Sequence, residues 1–131
     1  MQLVDTNIIS ELLRPRPNPG VLAWADQQGE LAIAAISVDE SVYGLIRNRN
    51  PALLAAYENL LRTRCEVLPM TQDIAHRAGT LRGEFSLRGI TRSQADMLIA
   101  AAAQAHNLTL VTRNTRDFEG CGIGLLNPFT D

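Results

Sequence analysis

The chain has 131 residues, 46% of them hydrophobic, and its 12 basic and 14 acidic side chains leave a formal charge of -2. Such a length suits one domain with a core of its own; the charge balance excludes an overall basic field for nucleic acid, though not a local patch. No run reaches the ~18 apolar residues of a membrane span.

The opening Met1-Gln2-Leu3-Val4-Asp5 brings an acid too early for a secretion signal, so a cytoplasmic protein is expected. Leu3 and Val4 read as a very short apolar strand that stops at Asp5, and Thr6-Asn7 turns the chain. Ile8, Ile9, Leu12 and Leu13 then recur at helical spacing. Pro15, Pro17, Pro19 and Gly20 end that helix and form a rigid connector. A second helix is expected over 21–28, with Trp24 on its apolar side. Residues 31–36 read as a buried strand. Ser37 followed three residues later by Glu40 has the form of a capping box, opening a helix that runs to about residue 47. Pro51 can start another helix, 66–68 is a short strand, and Thr71 caps a helix with the stripe Ile74, Ala78, Leu81 and Phe85. Gly89 breaks that pattern; Thr91 or Ser93 opens an alanine-rich helix. Strands over 108–111 and 123–126 complete the chain, closed by Pro128.

Short apolar strands thus alternate with helices, and no tight hairpin joins two neighbours. That pattern predicts a mostly parallel sheet with helices on both faces, as a single domain over 1–131. The two cysteines, Cys65 and Cys121, are compatible with a reducing compartment and make no metal cluster by themselves. Every basic residue is arginine; its planar fork suits phosphate, although genome composition explains the lack of lysine more simply. The glycine-rich phosphate loops of nucleotide-binding folds are absent.

In open parallel sheets ligands gather beyond the carboxyl ends of the strands. Four acids from distant parts of the chain fall there: Asp5 after the first strand, Glu40 past the second, Asp96 at the start of the alanine-rich helix, and Asp117 past the 108–111 strand. Converging carboxylates repel one another unless a cation stands among them, and an all-oxygen site suits magnesium or manganese. Each also has a purely structural reading: Asp5 as an N-cap, Glu40 and Asp96 as the back halves of capping boxes, Asp117 as a turn acid. Thr6, Asn7, Thr112 and Asn114 lie near the same strand ends, where they can orient a carboxylate or water, or serve as ordinary turn residues. Arg113 and Arg116 flank the turn and can approach a phosphate backbone, or serve as ordinary surface charges. Glu11 on the first helix can reach the rim but is expected to face solvent, and His76 and His106 are expected to be solvated helix residues.

Four stretches carry a family resemblance: LVDTNIIS at 3–10, ISVDESVYGL at 36–45, QADMLIAAAAQAHNLTLVTRNTRDFEG at 94–120, and GLLNPF at 124–129. Together they resemble the PIN-domain family, and within it the VapC-type and FitB-like toxins of bacterial toxin–antitoxin pairs. The resemblance implies a three-layer α/β/α sandwich around a central, mostly parallel sheet. It implies a magnesium- or manganese-dependent endoribonuclease acting on transfer or ribosomal RNA, with the metal acids on Asp5, Glu40, Asp96 and Asp117. It further implies a homodimer neutralised by an antitoxin protein through which DNA is bound only indirectly. Asn114 stands where many PIN domains carry another acid. Two rival functions are a catalytically silent partner of an antitoxin and a magnesium-dependent phosphatase. A stripe of Leu53, Leu54, Tyr57 and Leu60 can serve a dimer, an antitoxin helix or the core.

Overall fold

The structure, a computed structural model, describes residues 1–131. In chain order it forms β1 (Leu3–Val4), α1 (Thr6–Leu12), α2 (Pro19–Asp26), β2 (Leu31–Ala34), α3 (Ala35–Arg47), α4 (Pro51–Arg64), β3 (Cys65–Leu68), α5 (Gln72–Leu87), α6 (Gln94–His106), β4 (Leu110–Val111), a 3-10 turn (Thr115–Phe118) and β5 (Leu125–Leu126). The five strands make one sheet in the order β3-β2-β1-β4-β5, every pair parallel. With no hairpin available to a parallel pair, each crossover must lie over a face of the sheet, and the helices supply the outer layers.

Side chains that alternate along the strands separate two cores. Leu3, Ala32, Ala34 and Leu110 face α5 and α6, whereas Val4, Leu31, Ile33 and Val111 face Ile8, Ile9, Val21 and Tyr57. On the first face small meets small: Met97 through Ala103 are all buried, so α6 is enclosed on most sides and its alanines lie close to the sheet alanines. On the second face larger residues fill the gap, each fully buried Leu or Ile contributing about 1.5–3 kcal/mol. Cys65 packs against this second core and Cys121 belongs to the first; both are free thiols. No helix is long and apolar enough to cross a membrane.

Most helix starts follow local sequence. Asp5, Asn18, Asn50, Thr71 and Ser93 each cap a helix through a side-chain oxygen. The exception is α3. Its N-cap is Ala34, without a side-chain bond, and the expected Ser37–Glu40 capping box is not formed. The strand ends two residues before its expected limit and the helix begins at once, so Ser37 is buried in the first turn with its hydroxyl unpartnered. Glu40 therefore lies in the second turn, where no orphan backbone N–H competes for its carboxylate. β4 and β5 are likewise shorter than expected, two residues each, and α2 starts earlier, at Pro19, behind the Asn18 cap.

Candidate functional site

β1 is the central strand, with β2 on one side and β4 on the other. The direction of winding reverses there, and the crevice beyond the carboxyl ends of β1 and β4 is where the topology leaves room for a ligand. A depression of about 550 Å³ lies at that point, lined by Asp5, Thr6, Asn7, Ser10, Glu11, Arg14, Glu40, Asp96, Arg113, Asn114 and Phe129.

Asp5 occupies its floor, 8% exposed. Its Oδ1 accepts the Thr6 backbone N–H at 2.7 Å, and its Oδ2 accepts from the Thr112 hydroxyl at 2.8 Å and from Asn7 Nδ2 at 3.2 Å. Thr112 is itself fully buried at the end of β4 and accepts the Asn114 N–H at 3.0 Å. Asn7 completes the bridge between β1 and β4 by accepting the Arg113 N–H at 3.2 Å. Capping and site roles thus coexist at Asp5: a carboxylate offers about four lone-pair sites, and these three bonds leave one free.

Glu40 reaches the same rim from α3, where the Thr6 hydroxyl donates to it at 3.5 Å. Asp96 is half-buried in the first turn of α6, its backbone N–H bonded to Ser93 Oγ at 3.1 Å. Asp117 lies in the 3-10 turn and is exposed; it does not line the depression. Its charge is nevertheless close enough to push the carboxyls of Asp5 and Asp96 upward. Burial is the larger cause for Asp5, Glu40 and Asp96 alike, and all three carboxyls are held above the usual range. Mutual repulsion adds to it: Asp5 and Asp96 both raise Glu40, and Asp5 raises Asp96. The ion pairs of the molecule are Arg14–Glu11 and Arg77–Asp73, so none of these acids has one.

The donor set suits a hard divalent cation: oxygen only, partly desolvated, and free of ion pairs. No three of the carboxylates are drawn tightly enough together to make a ready-formed coordination sphere. Thr6, Asn7 and Asn114 line the depression and Thr112 lies beneath it. Of the two arginines expected near RNA, Arg113 lines the depression and Arg116 does not.

Arg14 and Phe129 were not read from the sequence, and Glu11, able to reach the rim, was expected in solvent. Glu11 does not face solvent. It is 7% exposed, because the proline connector folds back over it and the Asn18 N–H meets its carboxylate at 2.8 Å. A signal was present: Asn7, Glu11 and Arg14 are spaced i, i+4, i+7, one face of a helix. His76 and His106 are both exposed on helices, as expected.

A doubly wound parallel sheet with an acidic crevice at its switch point defines a broad class of α/β protein. The PIN-domain profile matches residues 3–121, and this chain belongs to the PIN-domain family, in its VapC- and FitB-like branch. It is 34% identical to VapC ribonuclease Y4jK of Sinorhizobium fredii over 98% of both chains. It is also 34% identical to toxin FitB of Neisseria gonorrhoeae over 100% of both. A toxin–antitoxin complex from Klebsiella pneumoniae contains a chain of the same fold, with a TM-score of 0.75, 30% identity and 100% of each chain covered.

Proposed function

We propose that residues 1–131 form one nuclease domain that hydrolyses RNA phosphodiester bonds as the toxin of a toxin–antitoxin pair, with transfer or ribosomal RNA as substrate. The observation that carries this reading is the crowded acid charge at the switch point: carboxylates raised by burial and by one another, none of them in an ion pair. Similarity to a VapC ribonuclease over nearly the whole chain supports the same reading.

Asp5, Glu40, Asp96 and Asp117 would hold magnesium, with manganese able to substitute. The bound ion supplies positive charge that favours ionisation of a water and offsets charge on the phosphate in flight. Thr112 and Asn7 hold Asp5 in one orientation through their two bonds to Oδ2. Thr6 supports both Asp5 and Glu40, one through its N–H and the other through its hydroxyl. Asn114 lines the depression that the exposed Asp117 stands outside, and Arg113 and Arg116 approach the RNA backbone. Such a cut leaves a 5′-phosphate and a 3′-hydroxyl.

The antitoxin has a place to dock. A groove of about 290 Å³ between α1, α3 and α4 adjoins the acids through Thr6 and Glu40, and Ile9, Leu13, Leu45, Leu53 and Tyr57 line it. An apolar antitoxin helix laid there would cover the rim. Of the Leu53, Leu54, Tyr57 and Leu60 stripe, Tyr57 is buried in the core and Leu53 faces the groove. Tyr43 and Ile46, exposed and three residues apart on α3, offer one apolar face to a homodimer.

The test is cleavage of 5′-labelled transfer and ribosomal RNA by antitoxin-free protein in manganese, in magnesium and in EDTA, beside Asp96→Asn. Discrete cuts that need both the metal and Asp96 are the expected result. Mainly 2′,3′-cyclic phosphate ends would sink the hydrolytic mechanism. The rival silent antitoxin partner draws support from carboxylates that do not close on one point; a folded protein that binds antitoxin but cuts no RNA would establish it. Turnover of a small phosphate ester with RNA left intact would move the assignment to a phosphatase.

A further inference from the structure

The depression that gathers the acids also holds two arginines, and each is fixed by a neighbour. From the start of α1 a polar face runs outward through Asn7, Ser10, Glu11 and Arg14. Glu11 is the buried member. Its Oε2 accepts the Asn18 N–H at 2.8 Å, and its Oε1 faces the Arg14 guanidinium at 3.4 Å. The side chain of Asn18 then ties down the tail of the chain. It accepts the Thr130 N–H at 3.0 Å and donates to the Thr130 carbonyl at 2.7 Å. The anchored tail brings Phe129 to the rim, where the Arg113 guanidinium stacks on its ring, 4.6 Å from the centroid. One buried carboxylate thus stands at the root of both arginine placements.

Arg16, Arg47, Arg49, Arg82, Arg88 and Arg116 do not line the depression, so position and not freedom sets the Arg14–Arg113 pair apart, and four further arginines are engaged elsewhere. Arg64 and Arg92 donate to backbone carbonyls, Arg62 donates to Asn59, and Arg77 pairs with Asp73. Arg113 donates no guanidinium hydrogen bond within the chain, and Arg14, 65% exposed, gives only the one to Glu11. A guanidinium has five donors, so most remain free at both positions. A polyanion approaching the acids would meet strong repulsion unless cations flanked them.

We propose that Arg14 and Arg113 form a two-arginine subsite that binds an RNA phosphate next to the one being cut, with Glu11 as the residue that positions them. The inference rests on the ribonuclease reading above. It adds an anionic subsite to that site and assigns Glu11 to orientation instead of metal binding.

The experiment is steady-state cleavage of labelled RNA in manganese, repeated over a salt series from about 50 to 200 mM. It uses the wild-type protein, Arg14→Gln, Arg14→Lys, Arg113→Gln and Glu11→Gln. Arg62→Gln on α4 is the control for a simple change in net charge. Arg14→Gln and Arg113→Gln should each raise KM about 10-fold, with much smaller changes in kcat. Each should also flatten the slope of log kcat/KM against log salt by about 0.7, the loss of one phosphate contact on a single strand. Arg14→Lys should restore the slope but only part of KM, because lysine cannot form the bidentate fork. Glu11→Gln keeps an acceptor for Asn18 but loses the charge facing Arg14, and should raise KM as well. Arg62→Gln should match wild type. Should Glu11→Gln fail to fold, the two arginine variants carry the test alone, since both change exposed side chains. Unchanged KM and slope in those variants, with wild type cutting RNA, would overturn the subsite and leave the ribonuclease standing. No RNA cleavage by folded, metal-loaded wild type would overturn both.

Discussion

The two ends of the sheet each carry a cavity, and they differ in charge far more than in size. At the carboxyl edge about 550 Å³ is lined by Asp5, Glu11, Glu40 and Asp96, of which only Glu11 has an ion pair. At the amino edge a cavity of about 400 Å³ is lined by Arg77, Gln104, Asn107, Thr109 and Cys121, among others, with no carboxylate. The amino-edge polar groups are engaged: Arg77 with Asp73 at 2.9 Å, and Gln104 with the Cys121 carbonyl at 2.8 Å. Burying a charge without a partner is costly, and a fold that keeps several such charges at one edge has a use for them there. Shape alone would not have separated the two cavities.

The largest contrast should come from single substitutions at each edge. Asp96→Asn should lower RNA cleavage at least about 100-fold while the far-ultraviolet circular dichroism stays native. Gln104→Ala at the amino edge should leave the rate unchanged. Equal losses in both would end the distinction drawn between the edges.

A smaller effect is expected one bond away from the acids. Thr112→Val keeps the shape but removes the hydroxyl that donates to Asp5 and accepts from Asn114. Metal affinity or cleavage rate should fall about 10- to 100-fold, read by metal titration and initial rates. Native behaviour would mean that Asp5 needs no orientation from β4.

Gly20 tests the tail that frames the carboxyl edge. A Cβ there would come within 2.3 Å of the Pro128 carbonyl oxygen and 2.7 Å of Thr130, both in the segment that carries Phe129. Gly20→Ala should destabilise the fold by about 1–3 kcal/mol in denaturant titration. It should also raise KM for RNA, because Arg113 loses its stacking platform.

The smallest effect is a pH dependence with a definite sign. Asp5, Glu40 and Asp96 have folded values above their unfolded ones. The folded state then holds protons more tightly, and stability falls as pH rises from about 4 through the raised values. Metal-free protein should therefore gain Tm on mild acidification from neutral pH. Magnesium should erase that gain by stabilising the ionised carboxylates at neutral pH. A metal-free Tm that rises steadily with pH across this range would show that the acids are not crowded.

Much of this edge was legible because its signals are local. An apolar pair followed by Asp5, Thr6 and Asn7 marks a strand end, and Ser93 and Thr71 mark helix starts through their own hydroxyls. Alternating strands and helices led directly to a parallel sheet with helices on both faces. The Ser37–Glu40 pattern misled because the apolar run 31–36 holds both the end of a strand and the start of a helix. Periodicity cannot divide so short a run; packing ended β2 at Ala34. The burial of Glu11 was missed for a different reason. Its burial depends on Asn18, seven residues on, and on a tail that meets Asn18 from 112 residues away. The stacking of Arg113 on Phe129 is equally invisible to a local pattern.

Asp5, Glu40, Asp96 and Asp117 at the carboxyl edge, none of them in an ion pair, are proposed to take up a divalent cation. Calorimetric titration of manganese into EDTA-stripped, dialysed protein, beside Asp96→Asn and Gln104→Ala, tests this uptake most directly. Wild type and Gln104→Ala should bind saturably, with proton release that grows as the pH falls toward the raised carboxyl values, and binding should be lost or greatly weakened in Asp96→Asn. Folded wild-type protein that binds no manganese, or Asp96→Asn protein that binds it as well as wild type does, would contradict it.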